Sequence, residues 1–85
     1  MPEVDPFLKD FGSNVRRVRL KSEFTQERLA EVAGLHPTYI SGIERGIRNP
    51  TILSALNIAI GLSCKISDLF RPSNKVARKK SLKKK

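Results

Sequence analysis

Apolar residues recur along most of this chain at spacings of three and four, the period of a helix with one buried face. Phe11, Val15 and Val18 form such a stripe down to about Lys21, with Arg16 and Arg17 opposite. Two signals compete for the start of this first helix, Asp5 followed by Pro6 and, further on, Gly12 with Ser13. Thr25 is placed to cap a second helix in which Gln26, Leu29, Ala30 and Ala33 share one face, while Glu27, Arg28 and Glu31 turn to solvent. Gly34 marks a tight turn. Pro37 then suits the opening of a third helix, where its missing N–H is no loss, and Ile40 and Ile43 lie on one side of it. Thr38, Ser41, Gly42 and Arg45 fall on the other side.

After a loop over residues 47–50, Thr51 caps a fourth helix that runs through residue 60. Its Ile52, Leu53, Ala55, Leu56, Ile58, Ala59 and Ile60 leave only Ser54 and Asn57 polar, which predicts burial nearly all round. A short fifth helix over residues 65–70 returns Ile66, Leu69 and Phe70 to the domain, and Pro72 stops it. Strand-like alternation is missing. The pattern predicts an all-α, compact five-helix domain over residues 11–70, with residues 1–10 as an extension or the start of helix one. Residues 25–46 within it have the layout of a helix-turn-helix.

Charge separates this domain from the C-terminal stretch. The net charge of the 85 residues is +9, but residues 1–70 hold nine Lys or Arg against all eight acids. The other eight basic residues lie in RPSNKVARKKSLKKK, residues 71–85, a stretch expected to be disordered in isolation. Such a polycation adds sequence-independent attraction to phosphate that fades with salt. RNA or an acidic membrane would attract it equally, and a solubilising tail is the plainer alternative.

The remaining chemistry is sparse. The lone Cys64 is read as a small core residue in a reducing compartment, and no Cys/His spacing suggests a disulfide, a metal or a cofactor. One His, no Cys/His pair and no phosphate-gripping glycine loop argue against an enzyme. The opening MPEVDPFLKD lacks a basic, apolar leader pattern, and no stretch approaches the roughly 18 apolar residues of a membrane span. The expectation is a cytoplasmic protein.

Thr25-Gln26, Leu29-Ala30, Gly34, Tyr39-Ile40-Ser41, Ile43-Glu44-Arg45-Gly46, Arg48-Asn49-Pro50 and Ser67-Asp68-Leu69-Phe70 stand in order at consistent separations. On these motifs the chain resembles the Xre, or phage-repressor-like, helix-turn-helix family from about residue 11 to residue 70. The run TYISGIERG with Arg-Asn following is similar, within that family, to the small controller proteins of restriction-modification systems. The resemblance implies a five-helix lambda-repressor-like domain, a homodimer on a palindromic double-stranded DNA operator and transcriptional regulation, with autoregulation compatible. Two alternatives stay open: an antitoxin-like module that binds a toxin as well as DNA, and a nonspecific nucleic-acid binder driven by the tail. RNA polymerase is a further candidate partner.

Carried over position by position, the resemblance implies phosphate contacts from Thr25 and Gln26 at the start of helix two, where exposed N–H groups converge on an anion. Local capping is the alternative for both. Thr38 matches a base-contacting position, with Ser41 and Gly42 about one turn on; Gly42 offers close backbone approach instead of a side chain, with a merely tolerated surface glycine as the equal alternative. Pro37 departs from the polar or arginine residue often found there. Reading therefore shifts to His36, Thr38 and Arg45, although His36 could cap the helix and Arg45 could hold a phosphate. Tyr39 is assigned to the DNA backbone or a base, with packing as its alternative, and Arg48 and Asn49 to the flanking phosphate. Glu44 could accept from cytosine N4, but in similar domains it pairs with an arginine of helix one, here Arg19. Glu23 stands where the family usually has glycine, and Lys65 where a serine or threonine usually caps the last helix. Dimerisation in similar proteins implies a surface of Ile58, Leu62, Ile66, Leu69 and Phe70, with the core competing for each.

Overall fold

The computed structural model describes residues 5–72, so residues 1–4 and all of the basic tail beyond Pro72 lie outside it. The described residues form α1 (Pro6–Lys21), α2 (Gln26–Ala33), α3 (Pro37–Glu44), α4 (Ile52–Gly61) and a terminal 3-10 helix (Ile66–Phe70). The fifth helix is thus a single tight segment in place of an α-helix. Lys65 has no acceptor with which to cap it; instead the Asp68 carboxylate accepts from the Lys65 backbone N–H at 3.2 Å.

Of the two start signals for α1, the first is used: Asp5 Oδ1 accepts from Phe7 N at 2.8 Å, and Pro6 opens the helix. Gly12 has another role. It lies where α1 crosses the end of α3, and a Cβ there would collide with the Ile43 carbonyl oxygen and stand 2.8 Å from that of Glu44. The absence of a side chain lets the two helices approach, which offsets the roughly 1 kcal/mol that a glycine costs inside a helix. Thr25 caps α2 by accepting from Arg28 N, and Gly34 ends it in the left-handed conformation at φ 70°.

The core gathers Val15, Leu29, Ile40, Ile43, Ile58 and Leu69, all fully buried, with Phe11 against the Phe70 ring at 5.1 Å. Ile58, Leu62 and Leu69 belong to this core, so of the five residues assigned to a dimer surface only Ile66 and Phe70 are exposed. The fourth helix also departs from expectation. It buries Ser54, Ala55, Ile58 and Ala59 against α2 and the 3-10 helix, but Ile52, Leu53, Leu56 and Ile60 are 87%, 64%, 42% and 64% exposed. The neighbouring elements α2 and the 3-10 helix cover only one side of a helix that is apolar on all sides. The other side is left open to water.

Asn14, which periodicity passes over, is buried in α1 and ties the chain's end to it: Nδ2 donates to the carbonyls of Leu69 at 3.1 Å and Arg71 at 2.6 Å. Cys64 packs beside the core, and its thiol is pushed above the ordinary value by burial and by Asp68, which favours the protonated form.

Glu23 occupies the turn between α1 and α2 with φ 61°, the conformation a glycine adopts without strain. Relief of about 1–2 kcal/mol, less the 0.4–1 kcal/mol that glycine costs through the unfolded chain, leaves a net gain. We expect Glu23→Gly to stabilise the domain by about 0.5–1 kcal/mol, read as a rise in Tm of about 2–8 °C. A fall in Tm would mean the Glu23 side chain supports the turn.

Candidate nucleic-acid interface

The candidate interface rests on one buried carboxylate. Glu44 ends α3 on its inward side, where Ile40 and Ile43 also point. Arg19 of α1 donates to it twice, from Nε to Oε2 at 2.6 Å and from Nη2 to Oε1 at 3.1 Å. Gln26, the first residue of α2, adds Nε2 to Oε1 at 3.0 Å, and Arg19 Nη1 reaches the Phe24 carbonyl at 2.7 Å. Three helices therefore meet at a pair whose side chains are 8% and 2% exposed. The fork of the guanidinium matches the carboxylate, so the charges are compensated where water cannot reach.

Because Glu44 turns inward, the outward side of α3 carries no acid. Thr38 and Arg45 are exposed and Ser41 is half-buried. Tyr39, also half-buried, lies partly on the core, with the Arg48 guanidinium 5.9 Å from its ring centroid. Arg48 and Asn49 stand exposed in the loop beyond. Helix, side chains and loop together present short hydroxyl side chains beside Arg45 and Arg48.

A helix-turn-helix family pattern matches residues 15–69, the span from the middle of α1 to the 3-10 helix. The chain belongs to the helix-turn-helix family. The control protein C.BamHI of Bacillus amyloliquefaciens is 47% identical to it over 61 residues, covering 71% of this chain and 75% of the relative. The restriction-modification controller protein C.AhdI from Aeromonas hydrophila superposes with a TM-score of 0.73 at 36% identity, over 74% of this chain and 96% of that one. C.Esp1396I, solved bound to a 19 base pair DNA duplex, superposes at 0.70 and 41% identity over 75% of this chain and 85% of its own.

Within this helix-turn-helix several assigned residues have structural duties. His36 Nδ1 accepts from Thr38 N at 3.1 Å, so that ring nitrogen caps α3 and is not offered to a base. Thr25 likewise spends its hydroxyl oxygen as a cap. Gln26 holds Glu44, and because Nε2 carries a second hydrogen the same tie orients the amide at the start of α2. Gly42 is buried, covered by the Arg48 side chain, so it does not offer its backbone to a ligand. Among the described residues, no group of three or more His, Cys, Asp or Glu could hold a metal ion, and no helix is long and apolar enough to cross a membrane.

Proposed function

We propose that this chain is a cytoplasmic, sequence-specific transcriptional regulator of the controller type, without catalytic activity, that binds double-stranded DNA as a homodimer on a two-fold operator. The observation that carries the reading is the acid-free outward side of α3, with Thr38, Ser41 and Arg45 projecting beside Arg48 while Glu44 is held inside. A helix with such a face fits a major groove about 12 Å wide and brings short polar groups to base edges. The relatives support it: C.BamHI is a control protein and C.Esp1396I binds a duplex. The open aliphatic side of α4 supports the dimer, since a second copy is the partner that a self-complementary apolar surface fits.

Footprinting on the DNA upstream of the gene tests the proposal. A two-fold footprint with half-sites about 10 bp apart is expected. Thr38→Ala should cut discrimination at one base pair per half-site by about 1 kcal/mol, roughly fivefold, and leave the salt dependence unchanged. If the ranking of single-base operator variants stays as in the wild type, Thr38 reads no base.

A further inference from the structure

Gly42 belongs by helical spacing to the outward side of α3, four residues after Thr38 and three before Arg45, yet it is buried. The side chain of Arg48 covers it. A Cβ on residue 42 would collide with Arg48 Cγ and lie 3.4 Å from its Nε and 3.5 Å from its Cδ. The intervening loop doubles back under two hydrogen bonds, Gly46 N to the Ile43 carbonyl and Ile47 N to the Gly42 carbonyl, each at 3.0 Å, with Gly46 left-handed at φ 78°. Arg48 thus lays its aliphatic stem on bare helix backbone and ends over Tyr39, three residues before Gly42 on the same helix.

We propose that Gly42 is a positioning residue whose missing side chain forms the seat that delivers the Arg48 guanidinium onto the DNA-facing side of α3, where it binds paired acceptor atoms of the duplex. The inference rests on the DNA-binding reading above. Pro37 and Gly42 bring no donor side chain to that surface, Thr38 and Ser41 bring single hydroxyls, and Arg45 at the end of α3 brings one guanidinium, to which Arg48 adds a second. The guanidinium is a planar fork matched to two acceptors, whether guanine O6 and N7 or two phosphate oxygens. A seated stem restrains the fork before DNA arrives.

The test uses the full chain, a footprinted operator duplex and the variants Gly42→Ala, Arg48→Ala and their combination. Each is checked by circular dichroism and thermal melting, with affinity measured across a salt series. Gly42→Ala and Arg48→Ala should each weaken binding about eightfold at 0.1 M salt, the factor one phosphate-neutralising contact supplies. The double variant should bind no more weakly than Arg48→Ala, because the seat acts only through that side chain. A salt slope lower by about one unit identifies phosphate; a loss confined to operators that keep one particular guanine identifies a base edge. Tyr39 is the only tyrosine and there is no tryptophan, so intrinsic fluorescence reports the stacking directly and should change in both single variants. Undiminished binding by Gly42→Ala, or additive losses in the double variant, would overturn the proposal. Should Gly42→Ala not fold, unchanged affinity or unchanged Tyr39 emission in Arg48→Ala would overturn it instead. A wild-type chain that binds no duplex specifically would refute the underlying DNA-binding reading.

Discussion

Glu44→Ala is expected to cost the domain about a third of its stability or more. The substitution removes the acceptor of two Arg19 donors and the Gln26 amide, leaving a guanidinium 8% exposed with the Phe24 carbonyl as its remaining hydrogen-bond partner. Stranding a buried charge costs about 3–5 kcal/mol. Domains of this size have roughly 0.05–0.15 kcal/mol per residue in total, so the loss is about a third of the whole stability or more. Thermal melts should show Tm lowered by about 12 °C or more, or no cooperative transition. Arg19→Met with Glu44→Leu together should cost less than Glu44→Ala alone, because apolar side chains leave no charge to strand. A drop in Tm of only a few degrees in Glu44→Ala would mean that water reaches Arg19 and that the pair is not the joint of three helices.

A second large effect is expected at the exposed apolar residues of α4. Leu53→Lys with Leu56→Lys places two charges on the open side of α4, where the native side chains are 64% and 42% exposed. The monomer should fold as before, since neither residue belongs to the core. Pairing with a second copy would bury those ammonium groups, and sedimentation should show a monomer at concentrations where the wild type is dimeric. Binding to a two-half-site operator should then fall by about 10²–10⁴, the advantage of linking two recognition helices. Binding to a single half-site should stay at the wild-type level. If the variant remains dimeric, the interface lies elsewhere; if the wild type sediments as a monomer, the homodimer reading fails.

Helix boundaries were legible because their causes are local. Thr25 three residues before Arg28, Thr51 before Ser54, Asp5 before Pro6 and the left-handed Gly34 each act within one helical turn, and the structure uses all of them. The period of Ile40 and Ile43 likewise set the buried side of α3. Gly12 and Gly42 were ambiguous for one shared reason. A glycine signals that something lies close, but not what: in one case the carbonyls of α3, in the other the stem of Arg48. Asn14 left no periodic trace, since the acceptors of its Nδ2 are backbone carbonyls 55 and 57 residues away.

Sequence alone thus determined the all-α class, the order of the helices, the caps and the small polar side of α3, because each depends on residues within about four positions of one another. Tertiary structure decided which of those features meet. It made Ile58, Leu62 and Leu69 core and left Ile52, Leu53, Leu56 and Ile60 outside, and it drew Arg19, Gln26 and Glu44 into one buried cluster. The periodicity of α4 is apolar all round, so only the number and placement of its neighbours could choose the side that water sees.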